Sequence, residues 1–473
     1  MNAPVAADVL SRLKAVLGEG GWSEDPARIA PKLVEWRDRW TGRTPFLALP
    51  KSTAEVAAVV GICAEARQPI TLQGGNTGLV AGQIPQGEVL LSTERLRAIR
   101  EVSVLDDVIT AEAGVTLSEI HAAAAEVRRR FPLGLASEGS ATVGGFVSTN
   151  AGGTQVLRYG MTRNLVLGLE AVMPNGEVWN GLKHLRKDNT GYDLKQLLIG
   201  AEGTLGVVTA AGLKLHPVLA SRAVAFLGVP SPKAAIELLA RAKDVSGGAV
   251  EAFELMARLN IELAARNIPG TRDPLPAPHP WYVLAEFATA EAGSADRAME
   301  RFLEEGLEAG LVSDAVVAQT EGQAKTLWAI RENQSAAQKP EGAIWKHDVA
   351  VPVSLVPVFI ERADAAMQAF VPGCRIVAFG HVGDGNVHYD VLRPAEGPAD
   401  ELNARHLARR DEGSRIVHDI AAGLGGSISA EHGLGVMKTA DAARYKSPVE
   451  LQALKAIRQA LDPHRILNPR VLF

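Results

Sequence analysis

Two rhythms of apolar residues alternate along the chain. Phe46 to Leu49 reads as a short strand. The stretch STAEVAAVVGICAEAR (52–67) then repeats apolar positions at helical spacing behind a Ser-Thr start, and PITLQ (69–73) returns to strand character. That order predicts a β-α-β unit. EVLLS (88–92), AIREVSV (98–104) and DVITAEAG (107–114) follow as strands, then a helix from about Leu117 to Arg128, then a glycine-punctuated region to about Leu215. From Ala223 the pattern restarts with a strand AVAFLGV, a helix PKAAIELLARAK, a strand VEAFEL, a helix to about Arg266, a strand WYVLAEF and a helix SADRAMERFLEEGLEA. This second run predicts a β-α-β-β-α-β layout with insertions.

The join between the two runs falls at HPVLASR (216–222), while the proline-rich PGTRDPLPAPHP (269–280) lies inside the second run and reads as a surface excursion. The expected division is an N-terminal helical segment over 1–40, a first domain over 41–218, a second over 219–429 and a C-terminal helical segment over 430–473, an α+β protein throughout. A length of 473 residues with 47% hydrophobic content is enough to give each domain a core. A net charge of -5 supplies no basic face for nucleic acid, which directs attention to small molecules and other proteins as partners. VAVPVSLVPVFI (349–360) is too short to cross a bilayer and contains two prolines, so no membrane span is expected. The N-terminus has no basic stretch leading into an apolar core, and the two cysteines, Cys63 and Cys374, sit in no CxxC pattern. Both features lead to an expectation of a cytoplasmic protein.

Three glycine clusters bring in candidate chemistry. TLQGGNTGLVAG (71–82) follows a strand and contains no lysine or arginine, so successive backbone N–H groups would have to meet the charge of a diphosphate. SEGSATVGGFVSTNAGG (137–153) and IGAEGTLGVVT (199–209) are candidates for the same ligand, although any one cluster also reads as plain turns. Neither GxGxxG between strand and helix nor GxxxxGK[ST] occurs, which argues against a Rossmann nicotinamide site.

GGNTGLVAG, VGGFVSTNAGG, KDNTGYDL, IGAEGTLGVVT and the terminal ILNP together resemble the FAD-binding domain of the vanillyl-alcohol oxidase and p-cresol methylhydroxylase superfamily. FELM (253–256), GHVGDGNVH (380–388) and SAEHGLG (429–435) resemble its D-2-hydroxyglutarate and D-lactate dehydrogenase branch. The resemblance implies an FAD-binding domain over 41–218, a ferredoxin-like α+β substrate domain over 219–429, and a C-terminal segment returning to the flavin site. It implies that Gly74, Gly75, Asn76, Thr77, Gly78 and Leu79 hold the FAD pyrophosphate. Gly139, Ser140, Thr142, Gly144, Gly145, Thr149 and Asn150 would approach the rest of the cofactor, with Glu202, Gly203, Leu205 and Val207 further on and Asn468 closing the site. The first loop has no histidine to tether a flavin, so FAD is expected to be noncovalent.

In GHVGDGNVHYDV (380–391), two histidines seven positions apart would face opposite sides of an unbroken strand. A reversal at Gly383-Asp384-Gly385-Asn386 would bring both imidazoles to one side of a hairpin. Two histidines and a carboxylate with an open position form a common catalytic zinc set, also compatible with manganese or iron. The resemblance assigns His381, His388 and Glu431 as ligands of a divalent metal, zinc first, and His432 as the catalytic base.

In WAIRENQSAAQ (328–338), Arg331 and Ser335 stand i, i+4 on an expected helix, where an arginine can grip a carboxylate and a hydroxyl can assist. Lys346 lies in IWKHDVAV (344–351), an expected strand. The resemblance makes Arg331, Ser335 and Lys346 substrate contacts, with serine where threonine is usual, and places Asp390 where asparagine is usual. Asp390 should face the substrate or pair with a nearby cation such as Arg331 or Lys346.

The implied activity is FAD- and metal-dependent oxidation of a D-2-hydroxy acid, D-2-hydroxyglutarate first and D-lactate, D-malate or glycolate as alternatives. Electrons would pass to an external acceptor, either an electron-transfer flavoprotein, a quinone or a cytochrome, because two cysteines cannot hold a four-thiolate iron–sulfur cluster. A homodimer is compatible with this reading. The alternatives of other classes are a flavin-free metallohydrolase and a noncatalytic flavin-binding subunit.

Overall fold

The computed structural model describes residues 5–472. The chain divides into two compact units: the stretches up to Gly153, Tyr159–Val218 and Glu431 onward form the first, and Thr154–Arg158 with Leu219–Ala430 forms the second.

Within the first unit, β1 (Trp22–Ser23), β2 (Leu47–Ala48), β3 (Ile70–Gln73) and β4 (Val89–Ser92) make a sheet of order β1-β2-β4-β3. β4 runs parallel to both β2 and β3, so the link from β2 to β3 must cross over the sheet. The helix Thr53–Glu65 makes that crossing, capped by the Ser52 hydroxyl, which accepts from the Glu55 N–H, and buries Val56, Val59, Val60, Ile62 and Cys63. A second, antiparallel sheet follows. Its strands are β5 (Ile99–Ser103), β6 (Val108–Glu112), β8 (Val166–Val172), β9 (Val178–Gly181) and β10 (Val207–Lys214), in the order β5-β6-β10-β8-β9, while β7 (Arg129–Arg130) pairs with β11 (His216–Pro217).

The two terminal segments differ from the expected division. The helix Ala7–Leu17 buries Val9, Leu13 and Leu17 in the same apolar cluster as Val56, Val59 and Val60, and β1 joins the first sheet, so the N-terminal region is an integral layer of this unit. At the other end, the Ile70 N–H donates to the Ile466 carbonyl and the Asn468 N–H to the Ile70 carbonyl, which lays the C-terminal tail along β3. Apolar periodicity revealed the helix but not its packing partner.

The second unit is one antiparallel sheet larger than the expected four strands. It contains β12 (Ser221–Val229), β13 (Val250–Ala257), β14 (Trp281–Thr289), β15 (Asp314–Val317), β16 (Ile344–Trp345), β17 (Asp348–Ala350), β18 (Arg375–His381) and β19 (Asn386–Leu392). The order is β15-β12-β14-β13-β18-β19-β16, with β17 also on β19. Side chains alternate across it. Phe253, Leu255, Tyr389 and Val391 belong to one apolar cluster, together with residues of the helices Pro232–Ser246, Ser294–Glu308 and Val356–Phe370. Ala252, Met256, Val377, Phe379 and Leu392 belong to another, with residues of the helices Arg258–Asn267 and Glu321–Glu332. The run 349–360, ambiguous in sequence, ends β17, turns once in 3-10 form at Val353–Leu355 and starts the helix Val356–Phe370, whose Pro357 occupies the first turn, where its missing N–H is harmless.

Candidate active site

The hairpin β18–β19 pairs Phe379 with His388, so His388 faces the same side as residue 379, and His381, two residues on, faces that side too. The turn between the strands gives the reversal expected at Gly383–Asn386, with Gly385 at φ +84° and Asp384 Oδ1 accepting from the Asn386 N–H at 3.1 Å. The imidazole rings lie 5.9 Å apart, centroid to centroid. Glu431 directly follows Ala430, whose N–H is fixed by the Asp348 carbonyl of β17. One ligand atom from each of His381, His388 and Glu431 lies within 4.8 Å of the others.

Both histidines meet carboxylates through Nδ1. Glu254, opposite His381 on β13, places Oε1 2.7 Å from His381 Nδ1, while Asp348, opposite His388 on β17, places Oδ1 3.8 Å from His388 Nδ1. The Glu254 carboxylate, within hydrogen-bond distance of His381 Nδ1, fixes that ring's tautomer and leaves its Nε2 for a metal, which is a usual outer shell of a histidine metal site, whereas Asp348 faces His388 Nδ1 from beyond hydrogen-bond distance. The donor set therefore fits a divalent cation, zinc included. Glu254 is fully buried and its other oxygen accepts from Arg331 Nε at 2.7 Å. Burial alone would raise its pKa, but His381 and Arg331 overcome that and hold it at about 2. Arg331 also stacks on Phe379, its guanidinium carbon 4.9 Å from the ring centre, and brings Nη2 to 3.5 Å from His381 Nε2.

Further along the same face, Lys346 Nζ lies 3.2 Å from Asp390 Oδ2 and 3.3 Å from Gln338 Oε1. Asp390 is thus paired with a cation, and that cation is Lys346. Lys346 falls between β16 and β17, in a short break where a continuous strand was expected. Ser335 departs from the expected arrangement. The helix carrying Arg331 ends at Glu332, Asn333 breaks it, and a separate short helix begins at Gln334, leaving Ser335 exposed while Arg331 is buried. The i, i+4 relation needs one unbroken helix, and Asn333 interrupts it.

In the first unit the glycine clusters pack against one another. A Cβ on Gly74 would stand 2.5 Å from Thr142 Oγ1, one on Gly75 1.7 Å from the Ser140 carbonyl oxygen, and one on Gly144 2.9 Å from Ala113 Cβ. Side chains at these positions would drive the loops apart. The third cluster joins them through the Glu202 N–H, which donates to the Ser148 carbonyl, and the Gly200 N–H, which donates to the Val147 carbonyl.

Two family models match: "FAD binding domain" over residues 44–181 and "FAD linked oxidases, C-terminal domain" over residues 218–472. The chain belongs to the FAD-linked oxidase family. A protein of Oryza sativa subsp. indica named "probable D-2-hydroxyglutarate dehydrogenase, mitochondrial" is 38% identical, over 98% of this chain and 81% of that protein. A D-2-hydroxyglutarate dehydrogenase of Xanthomonas citri pv. viticola is 36% identical, over 95% of this chain and 93% of its own. The fold is also that of p-cresol methylhydroxylase, solved with substrate bound, at a TM-score of 0.76 and 17% identity over 98% of this chain and 96% of that one.

FAD is the cofactor of this family member, and the loops fit it. They supply backbone rather than charge at Gly74, Gly75, Thr77, Gly78, Leu79, Gly139 and Gly145, and the buried Thr142 Oγ1 has no hydrogen-bond partner among the described residues. Other expected cofactor residues have side chains engaged elsewhere. Asn76 Nδ2 donates to the Val34 carbonyl, Thr149 Oγ1 to the Gly145 carbonyl, and Asn150 Oδ1 accepts from the Arg163 N–H. Leu205 and Val207 pack into apolar clusters, and Gly203 sits against Leu72 and Asn468. Asn468 bridges the Leu72 N–H and the Glu202 carbonyl. Sequence reasoning missed Glu254, Asp348 and Gln338 as members of the polar face. The one legible signal was an acid at position 254 within the otherwise apolar AFELM, which only strand pairing connects to His381.

Proposed function

We propose that this FAD-dependent dehydrogenase oxidises a D-2-hydroxy acid, D-2-hydroxyglutarate first, to the corresponding 2-oxo acid. The observation that carries this reading is the meeting of His381, His388 and Glu431 beside the buried Glu254–Arg331 pair, in a chain of the FAD-linked oxidase family. When bound, FAD supplies a two-electron acceptor at N5, and a divalent cation held by His381, His388 and Glu431 supplies a Lewis acid for the 2-hydroxyl. Arg331 grips the substrate carboxylate through the guanidinium edge that Glu254 leaves open, since Glu254 engages Nε. His432 accepts the hydroxyl proton on its imidazole, and the hydrogen on C2 departs with its electron pair, so the alcohol carbon becomes a carbonyl. The Lys346–Asp390 pair lies where the substrate tail would sit, Lys346 offering it a positive charge that Asp390 partly cancels. The names of the relatives support D-2-hydroxyglutarate as first substrate. The electrons then leave to an external acceptor, an electron-transfer flavoprotein, a quinone or a cytochrome.

The test is anaerobic mixing with matched D- and L-2-hydroxy acids, followed by flavin bleaching, before and after chelation. D-2-hydroxyglutarate should bleach the flavin and its L form should not. Chelation should abolish bleaching while FAD stays bound. A flavin that no 2-hydroxy acid reduces, or full activity after complete metal removal, would sink the reading.

A further inference from the structure

Glu202 was expected to contact the cofactor, but its carboxylate is committed to a different task. It is half-buried in the first unit, where Oε1 accepts from the Leu434 N–H and Oε2 from the Gly435 N–H, each at 2.8 Å. Burial pushes the Glu202 carboxyl above the usual carboxylate range, while these two N–H donors and Lys438 pull it back. The turn it holds is tight: Gly433 and Gly435 have φ of +73° and +51°, a region that costs other residues strain. A Cβ on Gly433 would stand 2.7 Å from Glu202 Oε1, and one on Gly435 2.2 Å from the Val80 carbonyl oxygen. Glu202 itself is held at φ +49°, and Asn468, at φ +41°, clamps its carbonyl from the other side with a 2.6 Å bond. Two non-glycine residues in left-handed backbone, joined to each other, show that the surrounding structure enforces this arrangement.

Leu434 and Gly435 follow Glu431 and His432 with only Gly433 between. We infer that Glu202 is a positioning residue, whose carboxylate fixes the 433–435 turn and thereby places the Glu431 ligand and the His432 imidazole. Two hydrogen bonds from successive N–H groups, one to each carboxyl oxygen, stop the turn from rotating, and a rotation there would swing the two side chains that precede it. The same carboxylate lies beside the first glycine loop, 3.5 Å from where a Cβ on Gly82 would be, so one acid touches both that loop and the turn. The inference rests on the functional reading above, because it takes Glu431 as a ligand and His432 as the base.

Glu202→Gln keeps the shape, but its amide can accept only one of the two N–H groups and sets its own N–H₂ against the other. Gly433→Ala leaves the carboxylate intact but blocks its approach. In holoprotein of each variant, zinc affinity measured by chelator competition should weaken about 10- to 100-fold, the range for loss of a supporting contact to a ligand. The rate of flavin reduction should fall with kcat reduced more than KM changes, and FAD content should stay at the wild-type level. The double variant should be little worse than either single one, since both break the same contact. Zinc affinity within twofold of wild type would overturn the inference. So would loss of FAD with unchanged zinc affinity, which would return Glu202 to the cofactor. If Glu202→Gln does not fold, Gly433→Ala decides by the same measurements. A wild-type flavin that no D-2-hydroxy acid bleaches would overturn the functional reading instead, and the zinc comparison still reads Glu202.

Discussion

In the first unit, Gly74, Gly75 and Gly144 matter for what they lack, because a single added carbon would collide with Thr142, the Ser140 carbonyl or Ala113. In the second, Glu254, Arg331, His381 and Asp390 matter for what they carry, with four ionisable side chains buried on or beside one face of a sheet. Backbone N–H groups can hold a diphosphate without any protein charge, so the first unit needs only close approach. A cation and a carboxylate need counter-charges in low dielectric, so the second must bury them in pairs. The two regions should therefore fail in different ways, the first by steric expansion and the second by leaving a charge without its partner.

The largest effect is expected from Arg331→Ala, which leaves the buried Glu254 with His381 alone. Breaking a buried pair costs about 3–5 kcal/mol, and chemical unfolding should show a loss of that size. A loss below about 1 kcal/mol would mean that Glu254 is satisfied without its arginine and that the second unit is less charge-dependent than argued. Gly75→Ala should act on the other side of the comparison. Overpacking of about 1–3 kcal/mol confined to the loop corresponds to roughly 5- to 150-fold weaker FAD binding, read from flavin content after dialysis. Zinc affinity should be unchanged, and coupled loss of both would erase the distinction.

A smaller effect is expected from Asp390→Asn. It releases Lys346, now 3.2 Å from the Asp390 carboxylate, to meet the second carboxylate of D-2-hydroxyglutarate, a group that D-lactate lacks. The ratio of kcat/KM for D-2-hydroxyglutarate over that for D-lactate should rise, by up to about tenfold for a gain near 1.4 kcal/mol. An unchanged ratio would make the pair structural. The smallest effect concerns the two thiols, one in each unit. Burial pushes Cys63 up to about 12 and Cys374 up to about 11. Neither should react with a thiol reagent in native protein at pH 8. Because the folded state keeps its thiols protonated where the unfolded chain loses them, their contribution to stability is complete below about pH 9. It should decline as pH rises toward those raised values. Labelling in increasing denaturant would report which unit opens first.

The sequence by itself determined the β-α-β start, the restart near residue 219, the three glycine clusters and the reversal between His381 and His388. All of these depend on local rules: helical or strand periodicity, the turn chemistry of Asp-Gly, and the absence of a side chain at glycine. The break at Asn333 that exposes Ser335 was not legible, because a helix-compatible pattern runs on through it. Nor was Glu254, which lies 127 residues from His381 in sequence and meets it only through the pairing of β13 with β18. The partner of Asp390 was left open between two cations until β16, β17 and β19 brought Lys346 to it. Glu202 read as one more residue of a cofactor loop, yet its carboxylate reaches a turn 232 residues away. Periodicity and turn rules report what each residue prefers locally. Which buried charge meets which is decided only when distant strands and loops are brought together, since an unpaired charge in the interior costs too much to be left without a partner.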